Sequence, residues 1–508
     1  MGLHDFTFYD LISRNALIFN RKIAWLEVDN SATLTFLQYK EEVDRLASGL
    51  RKAGIKKKDR IGILGKNSME YFLLFGAASA LGAIILPLNW RLSPDELLFN
   101  LNDCEPSIIF VGKEFQETVN QIEGNLIFPV KKYNLGRDEG DFNRIESLFI
   151  EAKEFYPEDV APDDGFTIIH TAAVAGRPRG ALLSHQNILL GDIHFDWLFG
   201  LKSDDVHLNV LPLFHAGGLF MVTSSFHIGA LNINMSRFDA IQAVDLIAGK
   251  KASLMMEFSP MLASLLDESE KTGKDISSLR SVAGIDSPNT IERYQQYTGG
   301  NYYCLYGQTE TSCVVTFGAY DDCPGSAGKI IPFADVMLVN DSDQPVGVNE
   351  IGEISVKGPM VFKGYWNLPA DTADTFRNGR HHTGDLGRMD NNGFLWYEGR
   401  KAEKELIKPG GENVYPAEVE KVILEHPSVD KTVVFGVPDP KWKEGIKAIC
   451  TLKEGADVIT PGELIDFVGE RIARFKKPQY VEFIKDMPLL DNGSPDRLKV
   501  KEMYGGPQ

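Results

Sequence analysis

Along the first four hundred residues, short apolar runs alternate with stretches whose apolar residues recur at helical spacing. The runs Arg60–Leu64, Ile84–Leu88, Ser107–Val111, Phe166–Ile169 and Val206–Leu211 read as buried strands. Between them fall helical patterns such as Tyr39–Ala53, where Val43, Leu46, Ala47 and Leu50 share one face. That alternation predicts parallel sheets covered by helices. From about Asp321 the texture changes to glycine-punctuated strands, Ile351–Val356 and Gly393–Tyr397, the pattern of a small antiparallel unit. Beyond the charged stretch Gly399–Glu405 comes a compact pattern: helix Pro416–Glu425, strands Lys431–Val437 and Ile446–Leu452, helix Pro461–Ala473, strand Tyr480–Ile484. The expected fold class is α/β. A large N-terminal domain of helix-covered sheets with a small β unit spans residues 1–400, and a small α+β domain spans 401–508.

One segment, Tyr71–Leu88, approaches the length of a membrane-spanning helix. Asn67-Ser68 offers a helix N-cap before it, and Gly82 interrupts it ahead of β-favouring residues, so a buried helix followed by a buried strand is expected. The chain's 508 residues can bury a large core without staples. Its five cysteines form no CxxC pair, which fits free thiols in a reducing compartment. The first residues carry neither the basic patch nor the apolar run of a signal peptide, and a cytoplasmic protein is expected. A net charge of −18 argues against nucleic acid as a partner. From residue 401 onward 17 Lys+Arg nearly balance 19 Asp+Glu, so most of the acidity lies in the first 400 residues. An anionic ligand must therefore find local basic groups there.

Four clusters carry candidate chemistry. Thr171 through Gly180, with Gly176, Arg179 and Gly180, follows an apolar strand and precedes a helix, as a phosphate-binding loop does; an ordinary basic turn fits equally well. Tyr306-Gly307-Gln308-Thr309-Glu310 pairs an aromatic face and a glycine with a hydroxyl and a carboxylate, suited to a base, a phosphate and Mg²⁺. The plainer reading is a helix start capped by Thr309. Thr383-Gly384-Asp385, then Gly399-Arg400, can offer a carboxylate to ribose hydroxyls, or be a surface turn with an ion pair. Gly410-Gly411 ahead of Pro416 lets a flexible chain pass the backbone, or simply caps a helix. His381-His382 lacks metal-ligand spacing and reads as turn chemistry.

In order and spacing these clusters resemble the adenylate-forming superfamily of acyl-CoA synthetases, luciferases and carrier-loading adenylation domains. The resemblance covers nearly the whole chain. Lys58–Leu64, Leu86–Leu92, Leu211-Pro212-Leu213-Phe214-His215, Gly358-Pro359 through Gly364-Tyr365-Trp366, Val437-Pro438-Asp439 and Arg474–Pro478 are similar to its further signatures. It implies an AMP-forming ligase of two steps. A carboxylic acid (medium-chain, alicyclic or aromatic) is adenylated by ATP with loss of pyrophosphate; a mobile C-terminal lid then swings, and coenzyme A displaces AMP. Carried over, Tyr306 stacks near adenine, Thr171 and Thr309 meet phosphate, Glu310 holds Mg²⁺, Asp385 takes the ribose hydroxyls and Arg400 contacts the ribose near the hinge. Gly284 and Gly307 flank the nucleotide. His215 lines the acyl site together with segments His194–Trp197, Leu213–Gly218 and Tyr302–Leu305, and Gly410-Gly411 faces pantetheine in the second conformation. No transmembrane segment is implied; a homodimer is left open. A carrier-loading enzyme and a non-catalytic nucleotide- or acyl-CoA-binding relative are the alternatives.

The chain departs from the pattern. Ala172, Ala173, Val174 and Ala175 stand where Ser, Gly, Thr and Thr are usual, and Arg179 replaces lysine. Ser494 occupies the place of the lysine that bridges carboxylate and α-phosphate; loss of one such stabiliser commonly costs about a hundredfold to a thousandfold. Arg497 or Lys499 is the candidate replacement. Two extra residues follow Arg400, with Ala402 at the pivot, and Lys443 replaces a glycine after Trp442. Adenylation is thus expected to be the weaker half-reaction.

Overall fold

The apolar stretch Tyr71–Leu88 resolves into two buried elements. Ser68 caps the helix Met69–Leu81, accepting from the Tyr71 N–H, and Gly82 ends it in the left-handed conformation at φ 63°. Strand Ile84–Leu88 follows, buried throughout. Among the described residues no helix is long and apolar enough to cross a membrane. The computed structural model describes residues 2–136, 140–151, 154–171, 178–401, 406–440, 442–490 and 494–506.

Two large sheets share one core. The seven-stranded sheet runs in the order Gly364–Tyr365, Arg179–Ser184, Gly165–Thr171, Ile84–Leu88, Arg60–Leu64, Ile108–Val111, Lys131–Asn134. The nine-stranded sheet centres on the parallel strands Asn301–Tyr306, Ser281–Ile285, Leu254–Phe258, Val206–Asn209, Leu231–Asn234 and Ile23–Glu27. Its neighbouring strands Leu254–Phe258 and Ser281–Ile285 are in register, Glu257 opposite Gly284. The small β unit is a four-stranded antiparallel sheet of Asp335–Val339, Gly352–Lys357, His381–Met389 and Leu395–Arg400. His381 and His382 are therefore buried on a strand, not in a turn. His382 lies beside Glu353 and Asp343, a grouping that could hold a metal. Arg377 and Lys401 already pair with Glu353, and Arg377 with Asp343, so cations of the protein itself fill that role.

From Ile407 on, a separate core forms round Ile407, Val419, Ile423, Val434 and Ile446. Strands Val429–Asp439, Lys443–Leu452 and Tyr480–Phe483 make its sheet, against helices Pro416–Leu424 and Pro461–Gly469. The second helix ends four residues before the expected Ala473. Charged contacts join this domain to the large one: Lys476, which also pairs with Glu418 of its own domain, reaches Glu96 at 2.5 Å, and Arg91 pairs with Glu412. Glu96 also closes the capping box of helix Pro94–Cys104, so one carboxylate serves a helix start and a domain contact.

Candidate active site

Ligands of parallel α/β sheets bind beyond the carboxyl ends of the strands. A cavity of about 860 Å³ lies there, between the sheets and the small domain. Of the residues picked from sequence, Thr171, Arg179, His215, Gly284, Tyr306, Gly307, Thr309, Glu310 and Arg400 line it.

Asp385 sits just behind the wall, 1% exposed. Its Oδ2 accepts from the Tyr306 hydroxyl at 2.8 Å and from Gln308 Nε2 at 2.5 Å. Arg400 Nε stands 2.6 Å from Oδ1, at an angle too oblique for a hydrogen bond, so that contact is ionic. Arg400 Nη1 reaches the Tyr415 hydroxyl at 3.3 Å. Burial opposes the charge on Arg400, but Asp385 and the phenols of Tyr415, Tyr397 and Tyr306 outweigh it, and the guanidinium is held above its ordinary value. The Tyr306 ring stacks on Tyr397 at an interplanar angle of 30°, with centroids 6.2 Å apart. Gly307 has no room for a side chain: a Cβ would lie 2.1 Å from the Cys313 carbonyl oxygen.

Glu310, on a short 3₁₀ turn that follows the strand Asn301–Tyr306, is buried at the opposite wall. The cap of that turn is Gln308, not Thr309. Among the described residues both hydrogen bonds to the Glu310 carboxylate fall on Oε1, from the Tyr365 hydroxyl at 2.9 Å and Thr171 Oγ1 at 3.4 Å. The Arg179 guanidinium covers the Tyr365 ring at 4.0 Å, fixing that tyrosine with a cation–π contact. A carboxylate beside a hydroxyl is an oxygen donor set of the kind Mg²⁺ takes, so Glu310 and Thr171 fit the expected ion.

His215 caps helix Ala216–Ile228, its Nδ1 accepting from the Gly217 N–H at 3.1 Å. Burial, with the charges of Lys408 and Arg91, pushes its pKa down to about 4. The neutral ring therefore carries its proton on Nε2. Lys408, two residues before Gly410, also lines the cavity. Burial and Arg400 lower its pKa, while Asp385 and Glu444 hold the charge.

The structure redistributes the rest. Gly180 lies within the strand Arg179–Ser184, where a Cβ would meet Ile168 at 2.6 Å; it serves sheet packing and does not line the cavity. Gly410 takes φ 58° against the Trp442 ring, and Gly411 follows it in the turn Pro409–Gly411. Gly176 and the substituted positions Ala172–Ala175, like Ala402, fall outside the described residues. The end of the cavity expected to take the acyl group is lined by His215, Gly217, Met256, Phe258, Tyr302 and Leu305. The expected segment His194–Trp197 does not reach it: His194 faces Phe333 and Trp197 is 67% exposed. That segment belongs to helix His185–Phe199, whose turn at Trp197 points outward. Lys499 does not line the cavity either; Arg497 and Lys501 do.

Sequence reading missed Lys408, Tyr365 as the partner of Glu310, and Gln308 as the partner of Asp385. Lys408 was visible as a cation beside paired glycines. The two hydrogen bonds join residues 55 and 77 positions apart, and nothing local announces them.

Glu257 is fully buried behind Gly284 and accepts from the Tyr302 hydroxyl at 2.9 Å. Burial, helped by Asp286, pushes its pKa from 4.5 up to about 8. The unfolded chain ionises this carboxyl near pH 4.5, so between there and about 8 the native state alone retains the proton, and stability falls as pH rises. Glu257→Gln keeps an acceptor for Tyr302 and is expected to remove that slope. Thermal midpoints of variant and parent should converge near the acid end and separate in the variant's favour towards pH 8. Parallel curves would mean that Glu257 is ionised in the native protein.

The family model described as AMP-binding enzyme matches residues 13–366, and that described as AMP-binding enzyme C-terminal domain matches 418–494. Among curated relatives, the indoleacetate–CoA ligase of Aromatoleum aromaticum is 32% identical over 92% of this chain and 93% of its own length. A 2-succinylbenzoate–CoA ligase of Bacillus cereus is 31% identical over 90% of each. Among solved structures, the o-succinylbenzoate CoA synthetase of Bacillus subtilis, bound with a product analogue, superposes with a TM-score of 0.86 at 28% identity, covering 98% of both chains.

Proposed function

The chain belongs to the AMP-binding enzyme family and is an AMP-forming carboxylate–CoA ligase, and we propose from that premise how its cavity divides the work. The reading rests on one observation above all: the stretch Tyr306–Glu310 and the distant Arg400, with Asp385 directly behind Tyr306, come together at the cavity that also receives His215 and Lys408. Asp385 and Arg400 clamp the ribose of ATP and then of AMP, and Tyr306 covers the base. Thr171, Thr309 and Glu310 face the phosphates, with Mg²⁺ on Glu310 supplying charge neutralisation when bound. Neutral His215, protonated on Nε2, donates to a carboxylate or carbonyl oxygen at the acyl end without adding charge. Lys408 offsets the negative charge on AMP as it leaves.

The wall of Met256, Phe258, Tyr302 and Leu305 suits an aromatic, alicyclic or medium-chain acid. The boundary between the domains falls after Arg400, and residues 401–508 act as a lid that turns between the half-reactions. Ser494 lines a recess outside the cavity, beside Glu420 and Asp430. Lys408, Asn413 and Tyr415, on either side of Gly410-Gly411, line the cavity, and this supports reading the orientation as the one that serves thioester formation. With serine at 494, adenylation is the slower step.

A panel of carboxylic acids assayed for AMP release with and without CoA tests the reading. CoA-dependent release is expected for single-ring and medium-chain acids. If no acid in the panel gives CoA-dependent release, the assignment of the cavity falls.

A further inference from the structure

Lys443 stands where the resembling family carries glycine, and its backbone explains that preference: φ is +63°. Residues with side chains adopt this conformation at a cost. The side chain crosses from the small domain to the rim of the cavity, where Nζ lies 3.8 Å from Asp286 Oδ1. Asp286 follows the strand Ser281–Ile285 and lines the cavity with its side chain 2% exposed. Oδ1 accepts from the Ser287 N–H at 2.6 Å, and Oδ2 is buried without a hydrogen-bond partner among the described residues. Glu257 lies alongside, buried, and among the described residues its Oε2 likewise lacks one. Asp286, Glu257 and Cys304 all interact with the Lys443 charge. A buried carboxylate of the large domain, with the Glu257 carboxyl beside it, thus meets a cation that belongs to the small one.

We propose that Lys443 is a positioning residue: by pairing with Asp286 it pins the small domain in the thioester-forming orientation. This rests on the ligase reading above for the meaning of that orientation, but not for the contact itself. When the lid turns to present its Ser494 side, Lys443 leaves, and Asp286 is stranded beside a second buried acid. A buried charge that loses its partner is costly, so the pair weights the equilibrium towards the orientation seen here. The other interdomain contacts, Arg91 with Glu412 and Lys476 with Glu96, lie on a different segment and report the same orientation independently.

The test uses the full-length protein as Lys443→Gly, which relieves the backbone, and Lys443→Arg, which keeps the charge. Two half-reactions are measured separately: pyrophosphate–ATP exchange, and thioester formation from a supplied acyl-adenylate. Hydrogen exchange is followed without substrates across residues 89–96, which touch the small domain but not Lys443. Lys443→Gly is expected to slow thioester formation about tenfold, leave pyrophosphate exchange at the parent rate, and raise exchange across 89–96. Lys443→Arg should stay within about threefold of the parent in all three. Combining Lys443→Gly with Asp286→Asn should cost no more than either alone.

Unchanged hydrogen exchange across 89–96 in Lys443→Gly would overturn the proposal, as would an Arg variant that behaves like the Gly variant. Equal loss in both half-reactions would overturn it too. If hydrogen exchange rises as expected while no protein, parent included, forms thioester, the positioning role stands and the ligase reading fails.

Discussion

Asp385→Ala is expected to lower CoA-dependent AMP release by about a hundredfold to a thousandfold. The loss has two sources. On the proposed reading the variant lacks the acceptor for the ribose hydroxyls, and it releases Tyr306 and Gln308, which both donate to Oδ2. It also leaves the Arg400 guanidinium buried with no carboxylate beside it. Removing one partner of a buried pair typically destabilises by about 3–5 kcal/mol, so the urea midpoint should fall with the activity. Asp385→Asn separates the two effects, since it retains the shape and an acceptor oxygen but not the charge. Activity should fall nearly as far in Asn as in Ala, whereas Asn should keep more of the stability. An alanine variant that turns over within about threefold of the parent would remove Asp385 from the nucleotide site.

Lys408→Met is expected to strike the other half of the reaction. The lysine lines the cavity between His215 and the Asp385–Arg400 pair; burial and Arg400 lower its pKa, and Asp385 and Glu444 offset this only in part. Methionine fills much of the same volume without the charge. Thioester formation from supplied acyl-adenylate should drop by about a hundredfold or more, as for other preorganised electrostatic groups. Pyrophosphate exchange should change far less, because on the proposed reading that step uses the other orientation of the lid. The His215 pKa should rise when the neighbouring cation is removed, a shift that NMR titration of the imidazole reads directly. Equal losses in both half-reactions would place Lys408 in a general structural role.

Strand and helix order was legible in sequence because the signals are local. Arg60–Leu64 and Ile84–Leu88 appear with the bounds the apolar runs gave, and Ser68 and Gly82 delimit the helix between them. The nucleotide cluster was legible for a different reason. Tyr306, Gly307, Thr309 and Glu310 are adjacent in the chain, so one motif carries four wall residues. The acyl wall was harder. Met256 and Phe258 belong to a strand with no motif of its own, and they reach the cavity only because Leu254–Phe258 lies next to Ser281–Ile285 in the sheet. The segment His194–Trp197 was misplaced because helical periodicity fixes which residues share a face, not which way that face points.

By itself the sequence determined the two-part α/β architecture, the family, and many of the polar groups that line the cavity, since each depends on short-range pattern. Tertiary structure alone decided which charges meet. It set Arg400 against Asp385 and Tyr365 against Glu310, brought Lys408 into the cavity and Lys443 to Asp286, and left Ser494 outside. Electrostatic pairing depends on distance in space and on exclusion of water. Neither quantity is encoded in the spacing of residues along the chain.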